Sequence, residues 1–191
     1  MKTLLRTFCF VLFAFYANCQ TLPLSSLEEP NTGGYLKDID NVLPFWEDTW
    51  KGTTNNKEYT FQFTVFLHHL TTFSSERYYY IDKLVGKFRV IDLITGQELY
   101  NDLAVTNFDD YKIELLAYGN NIGYVFSFTD SESHCNNSIN FTLLRNGSNT
   151  NEIIYTAFEY NQFFLMEDCP YTNRSDIPMF LPTQDFVLTR Q

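Results

Sequence analysis

The chain has 191 residues, with 13 Lys and Arg against 23 Asp and Glu, a formal charge of −10. An acidic chain is repelled by the closely spaced phosphates of nucleic acid and by anionic membrane, so both are poor partners and no nucleic-acid role is expected. Its 19 Phe, 13 Tyr and 2 Trp, with only 8 Gly and 6 Pro, argue for a packed, sheet-rich domain and against a disordered or fibrous one.

Met1, Lys2 and Arg6 stand around the start of an apolar run from Phe8 to Tyr16. A positive start and a short apolar stretch mark residues 1–19 as an export signal peptide, with Ala17 and Cys19 as the small residues before cleavage at Gln20. The run is shorter than the ~20 residues a spanning helix needs, and no later stretch reaches that length, so no transmembrane segment is expected. The expected location is periplasmic or secreted. A minority alternative makes Cys19 the lipid-bearing N-terminus of an outer-membrane lipoprotein, although Asn18 stands where such a motif has a small residue. Cleavage removes two basic residues and leaves 11 against 23 acidic ones, a charge near −12 that favours solubility. About 170 residues then remain, enough for one domain with a real core.

Residues 20–45 read as an N-terminal arm. "TLPLSSLEEPNTGG" has no period, and "YLKDIDNVLP" can hold a short helical turn that ends at Pro44. Residues 46–191 read as a single β-barrel-like domain. In "TWKGTTNNKEYTFQFTVF", Asn55-Asn56 tolerate positive φ and can make a two-residue hairpin turn. That register sets Trp50 across from Phe61, Gly52 from Tyr59, Asp48 from Phe63 and Trp46 from Val65. One face then carries Trp46, Trp50, Tyr59, Phe61, Phe63 and Val65, and the other Lys51, Glu58, Thr60 and Gln62.

"LVGKFRVIDLITGQELY" predicts another hairpin, with Leu84, Phe88 and Val90 on one side and Gly86 allowing close approach. Asn120-Asn121 can turn "YKIELLAYGNNIGYVFSFTD", placing Ile113 across from Phe128, Leu115 from Phe126 and Ala117 from Tyr124. Lys112, Glu114, Ser127 and Thr129 go to the opposite side. "SINFTLLR" and "EIIYTAFEY" alternate around "NGSNTN", with Ile139, Phe141 and Leu143 inward, and "DFVLTRQ" reads as a last strand. The expected fold is all-β: an antiparallel up-and-down meander of about nine strands, closed or strongly curled into a barrel, with little helix. Closure removes the exposed edges that invite aggregation.

"NVLPFWEDTWKGTTNNKEYTFQF", "KLVGKFRV" and the terminal "FVLTRQ" resemble an uncharacterised family of small exported bacterial proteins, known only as a domain of unknown function. The resemblance covers most of the mature chain, implies a bacterial, exported context and brings no activity or site. In that family a Gly often precedes the Thr-Trp pair, where this chain has Asp48. The chain also resembles the lipocalin-like (calycin) barrels. Their first strand carries Gly-x-Trp after a short helical turn, and a basic residue of the last strand packs over the Trp. Trp50 and Arg190 would take those parts, with a cation–π contact of ~0.5–2 kcal/mol.

Cys135 and Cys169 are the cysteines left after cleavage. In an oxidising compartment they most simply form one disulfide. Free thiols, a zinc site completed by His134 and Asp168, and a Cys-His thiol catalyst are the alternatives. The adjacent His68-His69 at a strand end point to opposite faces, so one metal cannot easily take both. Asp109-Asp110 and Glu167-Asp168 read as solvated loop carboxylates. No nucleophile elbow or phosphate loop occurs, and no catalytic residue, cofactor or metal is assigned. Asn136, Asn140, Asn146 and Asn173 begin Asn-x-Ser/Thr motifs, which mark glycosylated surface in a eukaryotic secretory protein and only polar loops in the bacterial context the resemblance implies.

Two functions fit this pattern best, and an enzyme is a third for which no catalytic constellation surfaces. One is a non-catalytic barrel holding a small apolar ligand, lined by Trp50, Tyr59, Phe61, Phe63, Leu115, Tyr124 and Phe126. The other is an envelope or extracellular interaction protein with a filled core and a surface patch at Tyr79, from "RYYYID".

Overall fold

A computed structural model describes residues 20–119, 123–130, 135, 137–147, 149–161 and 168–191. The expected signal peptide, the expected turn at Asn120-Asn121, His134, Asn136 and Glu167 lie outside them. Eleven strands occur among the described residues: β1 (Thr21–Pro23), β2 (Tyr35–Lys37), β3 (Thr49–Thr54), β4 (Lys57–Thr72), β5 (Tyr78–Asp92), β6 (Glu98–Asn101), β7 (Ile113–Gly119), β8 (Gly123–Asp130), β9 (Asn137–Asn146), β10 (Asn149–Tyr160) and β11 (Phe186–Arg190). Helix is confined there to 3-10 turns at Leu43–Phe45, Phe108–Asp110 and Arg174–Asp176. Pro44 sits inside the first of these turns instead of ending it.

Contacts divide the chain into two compact units, residues 43–65 with 84–191 and residues 20–42 with 66–83. The larger unit contains the barrel. Eight strands run in the order β5-β4-β3-β11-β10-β9-β8-β7, and β7 returns to β5 through Val85–Glu114 and Gly86–Ile113. The barrel is antiparallel, and in place of about nine expected strands there are eight in its wall and three further strands among the described residues. Of those three, β6 pairs with β5 alone, Val90 facing Tyr100.

The first barrel hairpin forms because its local signals agree. Asn55 and Asn56 both adopt positive φ, 51° and 57°, the requirement of the tight hairpin turn. β3 and β4 then pair as Trp50–Phe61, Lys51–Thr60 and Gly52–Tyr59, the expected register. The ladder stops at Thr49–Gln62, and only the Phe63 amide reaches further, donating to Asp48 O at 3.0 Å. Trp46 therefore belongs to the turn before the strand and does not pair with Val65, yet it is still fully buried.

The β7–β8 pair departs from expectation in one place. Ile113–Phe128 and Leu115–Phe126 pair as predicted, but Ala117 faces Val125 and Tyr118 faces Tyr124. A bulge at Leu116 shifts the register by one residue. Leu116 itself is exposed, on the outward side where alternation also sets it. On β9, Ile139, Phe141 and Leu143 are buried as expected.

Cys135 and Cys169 are joined by a disulfide, their Cα atoms 4.5 Å apart. Both sulfurs are thereby committed, which ends the zinc and thiol-catalyst alternatives and fits an oxidising compartment, as export provides. No helix of the described residues is long and apolar enough to cross a membrane.

In the smaller unit, β1 and β2 run parallel, and β2 pairs with β5 as Tyr35–Tyr80 and Leu36–Ile81. The N-terminal arm thus contributes two strands of three residues each. Buried Asp82 organises it, accepting hydrogen bonds from the Tyr35 hydroxyl and from the amides of Asp38 and His68, each amide at 2.9 Å. Burial, then the bond to Asp82, push the Tyr35 phenol up to about 12. A raised folded value favours the neutral phenol, so this contribution is whole below the ~10 of an unfolded tyrosine and is lost as pH climbs through about 12. Denaturation midpoints should fall over that alkaline window. They should fall less in Tyr35→Phe, and an equal decline in both proteins would show that Tyr35 is not the group responsible.

Candidate functional site

The inward side chains of the first hairpin meet those of the opposite wall. Among the expected lining residues, Trp50, Tyr59, Phe61, Phe63 and Phe126 are buried, while Leu115 and Tyr124 are half-buried. Phe61 lies 5.7 Å from Phe88, 6.0 Å from Tyr155 and 6.3 Å from Phe141, centroid to centroid. Phe63 lies 5.2 Å from Phe126, Phe126 stacks on Phe141 at 5.5 Å, and Phe141 on Tyr155 at 4.8 Å. Phe186 covers Tyr59 and Tyr155 at 5.5 and 5.4 Å. At the other end of this chain of rings, Trp46 meets Tyr124 at 4.7 Å.

Gly86 makes room on β5, since a Cβ there would lie 2.6 Å from the Phe63 ring. Rings at such separations gain offset and edge contacts beyond the area they bury. Burial raises the Tyr59 phenol, and raises that of Tyr155 well beyond the usual tyrosine range.

The start and finish of the barrel meet at Arg190. Its guanidinium carbon sits 4.5 Å over the Trp50 ring and 5.3 Å from Phe45. It donates to Asp48 Oδ2 at 3.0 Å and to Phe45 O at 2.7 Å. Asp48 is therefore the acid that pairs with this base, and Arg145 takes the Phe45 ring at 4.1 Å. Arg190→Lys keeps the charge but loses the planar fork, and should cost about 1–2 kcal/mol in urea unfolding. The Asp48–Arg190 coupling in a double-mutant cycle should stay below about 1 kcal/mol, because both side chains remain a quarter to a third exposed.

Tyr79 is half-buried, its ring 5.5 Å from that of exposed Phe73. Arg77 lies over the Phe73 ring at 5.4 Å and pairs with Glu29. Leu67 and Leu70 are exposed nearby in sequence. His68 and His69 fall within β4, short of its end. His68 has a positive φ of 54°, stacks on Tyr80 at 4.0 Å and meets the edge of Tyr35 at 4.6 Å. No group of three His, Cys, Asp or Glu among the described residues is arranged to hold a metal.

The cavity that stands out among the described residues lies on the outer wall of the barrel. It has a volume of about 460 Å³ and is lined by Asp102, Val105, Asp109, Asp110, Tyr111, Lys112, Glu114, Ser127 and Thr129. Lys112, Glu114, Ser127 and Thr129 are the residues that alternation sends outward from β7 and β8. The segment from β6 to β7 supplies the rest. It is pinned to β5, where the Phe88 amide donates to Asp102 Oδ1 at 2.6 Å and the Lys87 ammonium to Val105 O at 2.6 Å. Tyr100 adds a bond to Asp102 Oδ2 at 3.1 Å. Burial raises the Asp102 carboxyl despite those donors. Sequence reasoning saw Asp109-Asp110 and the outward faces separately, and no local pattern said that they meet.

No family model, curated protein or solved structure matches this chain.

Proposed function

We propose that this chain is an exported, non-catalytic binding protein that works from the outside of a filled barrel. The observation that carries this reading is the ring-to-ring contact from Trp46 to Phe186. Aromatic side chains that meet across a lumen leave little space for a guest, and small barrels filled by their own side chains are stable scaffolds. The Tyr79–Phe73 pair and the outer-wall cavity are two places that offer contact among the described residues. Periplasm or extracellular medium is the proposed location, supported by the disulfide and the export signal pattern.

The same proposal keeps the chain with the uncharacterised exported bacterial family. The markers of that resemblance, Thr49-Trp50-Lys51-Gly52 and Leu188-Thr189-Arg190-Gln191, are brought side by side as β3 and β11 with Arg190 opposite Trp50. That contact also favours a second reading, a lipocalin-like barrel that carries a small apolar ligand inside.

Native mass spectrometry of the purified mature protein separates the two. A bare mass, unchanged on addition of a fluorescent fatty acid, is expected. A co-purifying apolar molecule would overturn the filled-barrel reading in favour of the second.

A further inference from the structure

We propose that the barrel end at Asn137 is a binding site for internal water, held there as a fixed part of the fold. Asn137 opens β9, and its side chain lies on the inward face that continues through Ile139, Phe141 and Leu143. It is fully buried, yet neither its Nδ2 nor its Oδ1 has a hydrogen-bond partner among the described residues. A carboxamide carries two donor hydrogens and an acceptor oxygen, and leaving them unmet in a core costs more than a made bond contributes. A native side chain in that position calls for a ligand within reach.

The surroundings decide what kind of ligand. Asp130 stands across the ladder from Asn137, and Lys112 answers its charge at 3.6 Å. Arg174 donates to the Ser138 carbonyl at 3.1 Å and also to that of Asn161. Cys135, two residues before Asn137, is fully buried and committed to the disulfide. These groups are engaged, so the site calls for a neutral ligand. Inward of Asn137 the wall is apolar: Phe128 faces Ile139 and meets the edge of Phe88 at 5.7 Å. The ligand must donate to Oδ1, accept from Nδ2 and stay small beside those rings. Water meets all three demands, and a buried water typically makes about three hydrogen bonds to groups of this kind.

A high-resolution crystal structure of the mature protein is the first test. A water oxygen is expected about 2.7–3.2 Å from Asn137 Nδ2 or Oδ1. A protein group meeting the amide there, an organic molecule in its place, or nothing within reach overturns the proposal. In solution, water relaxation dispersion counts the long-lived internal waters. Asn137→Leu, close in shape but unable to hydrogen-bond, should lower that count by one or more. An unchanged count, in a variant with the parent's circular dichroism spectrum, overturns the proposal as well. The crystal result decides the matter for the unaltered chain even where the variant does not fold. Water at Asn137 is independent of the outside-of-the-barrel reading, which falls only when an apolar molecule co-purifies.

Discussion

Truncating Phe61 to alanine is expected to cost about 3–5 kcal/mol of folding stability. Phe61 is fully buried, and its ring is met by those of Phe63, Phe88, Phe141 and Tyr155, which come from four different strand positions. Removing it deletes the transfer energy of a large apolar group and leaves a void. The void cannot collapse easily, because the walls around it are tied by ladder hydrogen bonds in a closed ring of strands. A loss of that size is a large part of the ~5–15 kcal/mol by which domains are usually stable. Gln62→Ala, one residue along on the outer side of the same strand, should change stability by no more than about 0.5 kcal/mol. Urea unfolding of the two variants beside the parent measures the contrast. A cost below about 1 kcal/mol for Phe61→Ala would mean that the rings do not form one continuous core.

Breaking the disulfide is expected to cost about 3–4 kcal/mol. Cys135 and Cys169 are separated by 34 positions, and the bond ties the start of β9 to the segment that follows β10. In the chain-entropy picture most of the effect lies in the unfolded ensemble, which regains the freedom of a long loop when the bond is cut. Cys135 is also fully buried, so a serine there adds the cost of hiding a hydroxyl. Reduction of the unaltered chain avoids that extra term and is the cleaner comparison. Urea midpoints with and without reductant, alongside a mass gain of two hydrogens, give the result. An unchanged midpoint with the bond shown to be open would sink the expectation.

The parts of this fold that could be read early are those governed by neighbours in sequence. Asn55-Asn56 sets a turn, and alternation on either side of it places Trp50 against Phe61 before anything else is known, because a slip of one residue would bury Lys51 and Glu58. The same logic carries the outward faces of β7 and β8. It failed after Leu115, where a bulge spends one extra residue, so that Ala117 meets Val125 instead of Tyr124 and stands exposed. It also failed at Trp46, which is buried by a 3-10 turn and not by a strand. The 66–83 segment shows the limit from another side. Tyr78, Tyr79 and Tyr80 read as simple alternation, but the Asp82 carboxylate that gathers Tyr35, Asp38 and His68 depends on partners more than 40 positions away for two of its three bonds.

What the amino-acid order determined alone was the material: inward aromatic faces, tight reversals, an acidic exterior, and a cysteine pair able to close a loop. Those are short-range matters of φ, side-chain period and charge, and they need no knowledge of distant residues. Only the tertiary structure decided that β7 skips β6 to close on β5, that inward rings from opposite walls meet, and that the segment from β6 to β7 folds against β7 and β8 to form a cavity outside it. Closure, volume and concavity are sums over residues far apart in the chain, so no local stretch contains them.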